Sequence, residues 1–224
     1  MECVLYGVGS PFVADVLEAL LRLGWTARGG VANIETEFRP ARLAPIVGPD
    51  AIPPDWLALP VVLPLATPGH RRSLEREVLE RGFQSLATVV DPTAIVASTA
   101  AIGEGAVVMA GAVIGAETTI GRLACVNKSA TVGHHVTLSD YGALGPGCVL
   151  CGAVKVGRGG FIGAGAVVNP EISVGANAVV GSGSVVRRNV RDHTLVAGNP
   201  AVVVREGIAG YNDVSVEVPG GGDT

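Results

Sequence analysis

Aromatic residues and lysine are scarce in this chain of 224 residues. Phe, Trp and Tyr together make up 4% of it, and Lys128 and Lys155 are the two lysines. The chain is nevertheless 48% hydrophobic and only 16% charged, which excludes an intrinsically disordered protein. Its core must therefore be built from Val, Ile, Leu and Ala, while the 32 glycines serve backbone positions that other residues adopt poorly.

Other shortages bear on partners and location. A net charge of −4 without a basic stripe argues against nucleic acid or an acidic membrane as a partner. The longest apolar run, 56–66, is too short to span a bilayer and contains Pro60 and Pro64. No basic segment precedes an apolar one at the N-terminus, and the four cysteines do not form a disulfide framework. We therefore expect a reduced, cytoplasmic protein.

Aliphatic residues recur at every sixth position from residue 102 to residue 186. The fifteen positions are Ile102, Val108, Ile114, Ile120, Val126, Val132, Leu138, Leu144, Leu150, Val156, Ile162, Val168, Val174, Val180 and Val186. Neither the 3.6-residue period of a helix nor the two-residue alternation of a strand produces a strict period of six. A hexapeptide repeat predicts a parallel β-helix, in which each hexad is a short strand followed by a turn.

Three hexads form one triangular coil of 18 residues, so the repeat predicts about five coils. Coils stack at the spacing of neighbouring strands, ~4.8 Å, so residues 18 apart should be near neighbours. This rule places Gly152 beside His134.

The first third of the chain has a different pattern. Apolar runs at 3–8, 26–32, 60–66 and 85–90 predict strands, and helical spacing occurs at 13–23 and 69–82. The alternation of strand and helix predicts a small Rossmann-like domain over residues 1–91. In the turn after the first strand, the backbone of Gly7, Gly9 and Ser10 could bind a diphosphate.

A small Rossmann-like domain followed by hexapeptide coils resembles the bacterial nucleotide-sugar N-acetyltransferases, which are hexapeptide-repeat acyltransferases. The resemblance implies a left-handed β-helix over 92–204 that binds acetyl-CoA, and an N-terminal domain that holds a nucleotide-linked amino sugar. It also implies a homotrimer with the site between subunits. Asn33 stands where the family usually has an acidic pair near the nucleoside. The last segment, 205–224, is expected to be a flexible tail.

Two adjacent histidines, His134 and His135, lie within the repeat. The segment 127–134 resembles the one that carries the catalytic histidine in this family, and the match falls on His134. The resemblance implies that His134 is the general base and that the backbone N–H of Gly152 binds the thioester carbonyl. His135 is the rival for the base. It replaces the family's usual carboxylate after the catalytic histidine, so Glu117 or Asp140 could orient the imidazole instead.

Coenzyme A should lie along the helix axis, so that its contacts repeat every 18 residues. Pro146, Ala164 and Ser182 form such a column, and the resemblance points to backbone groups near Ala164 and Ser182. Arg187 and Arg188 close the last coil and could meet the phosphates of CoA.

No metal is expected. Cys148 and Cys151 have a spacing that metal sites use, but Cys148 falls at a small-residue position of the hexad and Cys151 in a turn, so packing explains them better. The zinc carbonic anhydrases of the same fold need three imidazoles, whereas His70 and His193 lie outside the repeat and are interpreted as structural.

The sequence thus predicts an acetyl-CoA-dependent N-acetyltransferase that acts on a nucleotide-linked amino sugar. Two alternatives stay open. The first is an O-acyltransferase of the same fold with another small acceptor, and the second is a non-catalytic β-helix that serves assembly.

Overall fold

The structure is a computed structural model that describes residues 1–38 and 40–217. Its first 80 residues hold a small parallel sheet and two helices. The bounds are β1 Glu2–Tyr6, α1 Phe12–Arg22, β2 Thr26–Val31, β3 Ile46–Val47, β4 Val61–Val62 and α2 Pro68–Glu80. The strands are parallel in the order β3-β2-β1-β4. The assignment of residues 1–91 as a Rossmann-like domain stays a prediction.

The rest of the chain winds into a parallel β-helix with three faces. The first face contains Ala101–Ile102, Thr119–Ile120, Thr137–Leu138, Lys155–Val156 and Ser173–Val174. The second contains Val89–Val90, Val107–Val108, Cys125–Val126, Ala143–Leu144, Phe161–Ile162 and Val179–Val180, followed by the hairpin Thr194–Gly198 and Ala201–Glu206. The third contains Ile95–Val96, Val113–Ile114, Thr131–Val132, Val149–Leu150, Val167–Val168 and Val185–Val186.

The register of 18 residues is confirmed. Ile102 pairs with Ile120, and Ile120 pairs with Leu138, each one coil apart. The hexad aliphatic is the second residue of its strand, and from Val108 to Val186 each one is at most 2% exposed. Because every coil places its aliphatics above those of the previous coil, the interior is a continuous apolar stack.

The turns between faces form three corners. The His134 corner consists of the turns after the third-face strands, and it carries His134 and Gly152. The Asp140 corner consists of the turns after the first-face strands. The Ser182 corner consists of the turns after the second-face strands, and it carries Ala164 and Ser182.

Both ends of the repeat differ from the sequence-based expectation. Residues 85–90 are predicted as a strand of the N-terminal domain, but Val89–Val90 pairs with Val107–Val108 of the second face.

The tail expected from residue 205 is packed as far as residue 217. Tyr211 stacks on Phe161 with ring centroids 3.6 Å apart, and Val216 is fully buried because it packs against the coil surface. Residues 218–224 of that prediction lie outside the described residues.

Within residues 1–38 and 40–217, no helix has the length and apolar character needed to cross a membrane.

An ion pair joins α1 to the first coil. The Arg22 guanidinium donates to Asp91 Oδ2 at 2.9 Å and 2.5 Å, and Thr93 donates to Asp91 Oδ1 through its backbone N–H and its hydroxyl. Burial alone would raise the pKa of Asp91, but these hydrogen bonds outweigh it and hold that pKa below its ordinary value of 3.8.

We expect this carboxylate to make unfolding pH-dependent. Because its pKa is lower in the folded chain, its contribution to the free energy of unfolding is complete above the unfolded-state pKa and disappears as the pH falls through the folded-state value. Asp91→Asn should therefore lower Tm most at neutral pH, and the two Tm curves should converge on acidification. Measuring Tm of both proteins from neutral pH down through the pKa of Asp91 checks this prediction. Asp50→Asn, which removes a carboxylate from an exposed ion pair, is the control. Wild-type and Asp91→Asn curves that stay parallel down to acid pH would contradict it.

Candidate active site

His134 and Gly152 meet on adjacent coils. The imidazole of His134 lies so close to the backbone of Gly152 that a Cβ atom added there would be 2.6 Å from both Cε1 and Nε2. His134 is exposed, and its carbonyl oxygen accepts the N–H of Ala153 at 2.9 Å. Nε2 is therefore the ring nitrogen that faces the Gly152 backbone, and only glycine leaves room for it.

His135 contacts the other nitrogen of that ring. The two Nδ1 atoms are 3.0 Å apart, and the rings meet edge to face with centroids 5.1 Å apart. A hydrogen bond at this distance requires one Nδ1 to donate and the other to accept. If His134 keeps its Nε2 free for a proton, its Nδ1–H donates to His135.

The carboxylates considered as orienting groups are placed differently. Asp140 lies at a different corner from His134, and its Oδ1 accepts the backbone N–H of Arg122 at 2.8 Å. The prediction that Asp140 could orient the imidazole of His134 is therefore wrong. Six residues are enough to carry the chain from one corner to the next. Glu117 does lie at the His134 corner, one coil before His135.

The N–H of Gly152 is available to a ligand. At the Asp140 corner, the equivalent N–H groups of Arg122 and Ala176 are each bound by an aspartate from the following coil. One coil beyond Gly152 stands Pro170, which has no side-chain acceptor. In the part of the chain that the structure describes, nothing accepts the Gly152 N–H. An imidazole and a free N–H donor thus lie side by side, an arrangement that acyl transfer can use.

The column predicted for CoA lines a cavity of about 320 Å³ at the Ser182 corner. Pro146, Ala164 and Ser182 form one wall, and the stacked rings of Phe161 and Tyr211 form another. The N–H groups of Ala164 and Ser182 have no acceptor within residues 1–38 and 40–217. Both are therefore free to bind the amide groups of an extended ligand.

Arg187 and Arg188 are exposed and directly follow the third-face strand Val185–Val186. They lie at the His134 corner, three coils beyond His134, which corresponds to ~14 Å along the axis. The structure thus places these arginines at the same corner as His134, whereas Ala164 and Ser182 lie at a different corner of the same chain.

All four residues predicted to bind the substrate line one cavity of about 410 Å³. Gly7, Gly9, Ser10 and Asn33 come together there because β1 and β2 are neighbouring parallel strands whose carboxyl ends meet at one edge of the sheet. No described residue accepts the N–H groups of Gly9 and Ser10. Gly7 has φ of +85°, a conformation that favours glycine.

Sequence reasoning missed two features of this cavity. His70, interpreted as structural, lines it from the first turn of α2. Glu77, also on α2, accepts a hydrogen bond from Nδ2 of Asn33 at 3.0 Å. The position of α2 after β4, next to β1 in the sheet, is the signal that could have indicated both.

The cysteines pack as their hexad positions predict. Cys148 is fully buried, and burial raises the pKa of its thiol to about 12. Cys151 is partly exposed. The described residues contain no group of three or more His, Cys, Asp or Glu that could hold a metal ion.

Neither protein-family models nor curated proteins match this chain. Solved structures do. Perosamine N-acetyltransferase from Caulobacter crescentus, as a His-to-Asn mutant in complex with CoA and GDP-perosamine, is 32% identical with a TM-score of 0.82. The match covers 91% of this chain and 97% of that one. The acetyltransferase domain of PglB from Neisseria gonorrhoeae, in complex with acetyl coenzyme A, is 28% identical with a TM-score of 0.80. That match covers 91% of this chain and 98% of the domain.

The chain belongs to the hexapeptide-repeat, left-handed β-helix nucleotide-sugar acetyltransferases. The predicted family and the predicted CoA-dependent acyltransferase activity are thereby confirmed. The alternative of a non-catalytic β-helix is wrong, because the structures that this chain matches over both of its parts are acetyltransferases.

Proposed function

We propose that this protein transfers the acetyl group of acetyl-CoA to the amino group of a nucleotide-linked amino sugar. The observation that carries the proposal is the contact between His134 and the backbone of Gly152. It is supported by the relatives, of which perosamine N-acetyltransferase is 32% identical and was crystallised with CoA and GDP-perosamine.

In the proposed mechanism, the sugar amine attacks the thioester carbonyl directly. Nε2 of His134 accepts the proton that the amine loses, and the N–H of Gly152 donates to the oxygen that becomes negative in the tetrahedral intermediate. Collapse of that intermediate breaks the C–S bond, and CoA leaves as its thiol with the proton returned by His134. No covalent enzyme intermediate is needed.

The nucleotide belongs in the cavity that Gly7, Gly9, Ser10 and Asn33 line. The free N–H groups of Gly9 and Ser10, at the start of α1, suit a diphosphate because the N-terminal end of a helix favours negative charge. Ala66 and Thr67 line this cavity and also the one at the Ser182 corner. The two cavities therefore adjoin, so an amino sugar held by the first can extend toward CoA in the second.

We propose a homotrimer in which two chains complete each site. In one chain, the joined cavities open at the Ser182 corner, whereas His134 and Gly152 lie at another corner of the coil. A neighbouring copy whose His134 corner faces this Ser182 corner would bring the base, the oxyanion donor and Arg187 and Arg188 to the bound substrates. The predicted groove between subunits is consistent with this separation.

Thiol release from acetyl-CoA tests the function. We expect release with nucleotide-linked amino sugars and not with the matching sugars that carry a hydroxyl in place of the amine, and the product should gain one acetyl group as an amide. Release only with hydroxyl acceptors would establish the O-acyltransferase instead. Absence of both thiol release and CoA binding would refute the proposal.

A further inference from the structure

The C-terminal segment, residues 208–217, connects the coil with α2. Tyr211 stacks on Phe161 of the second face, with ring centroids 3.6 Å apart. Val214 packs against the first turn of α2, where a Cβ added to Gly69 would lie 2.5 Å from Val214 Cγ1. The segment is therefore fixed both to the coil and to the helix that follows the substrate cavity.

Asn212 lies between these two contacts and reaches the place where the two cavities adjoin. It has φ of 59° and ψ of 29°, a left-handed conformation that asparagine adopts more readily than most residues. Its Nδ2 donates to Oγ1 of Thr67 at 3.2 Å, between residues 145 positions apart in sequence. Thr67 lines both cavities, and Asn212 lines the one at the Ser182 corner. This hydrogen bond therefore lies where an acceptor sugar and CoA would meet.

The hydroxyl of Thr67 still has a proton to donate. Thr67 is the N-cap residue of α2, and a threonine hydroxyl at that position commonly accepts an N–H of its own helix. Thr67 makes no such bond, and its oxygen accepts from Asn212 instead. A hydroxyl that accepts one hydrogen bond can still donate one, and no atom in residues 1–38 or 40–217 accepts this proton. The result is a free hydroxyl donor at the junction of the cavities.

The sugar is the part of the proposed substrate that suits this donor. With the nucleotide in the cavity of about 410 Å³ and CoA in the adjoining one, the sugar passes Thr67. The residues that line the two cavities include no Asp, Glu, Lys or Arg. Neutral sugar oxygens must therefore be bound by neutral donors, and a hydroxyl at the junction is such a donor.

We propose that Thr67 and Asn212 together bind the acceptor sugar. The hydroxyl of Thr67 donates to a sugar oxygen, and Asn212 holds that hydroxyl in the required direction. Thr67 touches the substrate, whereas Asn212 acts through Thr67 and is a positioning residue. The C-terminal segment thereby becomes part of the acceptor site. The inference rests on the proposed function.

Calorimetry on the full-length protein saturated with CoA, which carries no acetyl group to transfer, tests the inference. The probes are amino sugars linked to UDP and to GDP, each compared with UDP or GDP alone. Thr67→Val keeps the shape of the side chain but removes the hydroxyl. It should weaken binding of the sugar nucleotide about 10-fold and of the diphosphate less than ~2-fold. Thr67→Ser keeps the hydroxyl, and both affinities should stay within ~3-fold of wild type.

Asn212→Gly isolates the positioning role, because glycine adopts the left-handed conformation freely. It should weaken the sugar nucleotide about 3- to 10-fold and leave the diphosphate unchanged. Added to Thr67→Val, it should change the affinity by less than ~2-fold, because the hydroxyl that it positions is already absent. Asp213→Gly is the matched control. It makes the same change at the next residue, which has φ of 56° and pairs with Arg205, and its affinities should equal those of wild type.

The outcomes separate this inference from the proposed function. Tm near that of wild type shows that each variant is folded. Unchanged binding of the sugar nucleotide in Thr67→Val or Asn212→Gly would overturn the inference, as would equal losses for sugar nucleotide and diphosphate. A loss of CoA affinity alone would also overturn it, because the two residues would then serve CoA. If wild type binds none of the probes and releases no thiol, the proposed function itself fails.

Discussion

His134→Ala is expected to lower kcat by at least about a hundredfold while CoA affinity stays nearly unchanged. The reason is that Nε2 faces the Gly152 backbone, where the acyl group would react, and is the ring nitrogen left free when Nδ1 contacts His135. Removing the imidazole removes the proposed proton acceptor but none of the groups at the Ser182 corner. Steady-state kinetics with acetyl-CoA and the best acceptor, together with CoA calorimetry, measure both quantities.

His135→Asn is the matched control for this prediction. His135 has φ of 57°, and asparagine tolerates that left-handed conformation while its amide oxygen can still accept Nδ1–H of His134. Its kcat should fall by less than about tenfold, in keeping with an orienting role rather than proton transfer. Retained turnover in His134→Ala combined with a large loss in His135→Asn would transfer the role of base to His135.

Gly152→Ala is expected to reduce kcat by a similar amount through displacement of the His134 ring. The new methyl group would lie 2.6 Å from Cε1 and Nε2, closer than van der Waals contact allows, so the imidazole must move. The backbone N–H of residue 152 is retained, which leaves the proposed oxyanion donor in place. A displacement of about 1 Å at a reacting group can cost about a hundredfold in rate.

The double variant distinguishes this mechanism from a change in the coil. If Gly152→Ala acts through His134, adding it to His134→Ala should alter kcat less than about threefold, because the displaced group is already absent. Gly48→Ala controls for the loss of glycine itself, since no heavy atom lies within 4 Å of a Cβ added there. An equal loss in both backgrounds would contradict the proposed contact.

The coil was predictable from sequence because its period is local. Each hexad supplies its own strand, its own inward aliphatic and its own turn, so the pairing of Thr131 with Val149, and hence the approach of His134 to Gly152, follows from counting. The cavity that Gly7, Gly9, Ser10 and Asn33 line was also partly predictable, since the turns after two neighbouring parallel strands meet at one edge of the sheet.

Closeness along the chain was misleading at the turns, and contacts between elements far apart in sequence could not be predicted. Asp140 is close to His134 along the chain but belongs to the next corner, where it accepts the N–H of Arg122. Tyr211 and Val216 looked like part of a tail, yet they pack against the coil surface. The hydrogen bond from Asn33 to Glu77 joins residues that are 44 apart in sequence, and no pattern in either segment predicts it.

The sequence by itself determined the repeat, its register of 18 residues and the approach of His134 to Gly152. The reason is that a fixed period stacks each residue on the residue 18 positions further along the chain. Tertiary structure alone decided how the C-terminal segment covers Phe161 and that Glu77 binds the side chain of Asn33. These features arise from the way α2 and the last residues pack on the sheet and the coils, and no local pattern of residues encodes such packing.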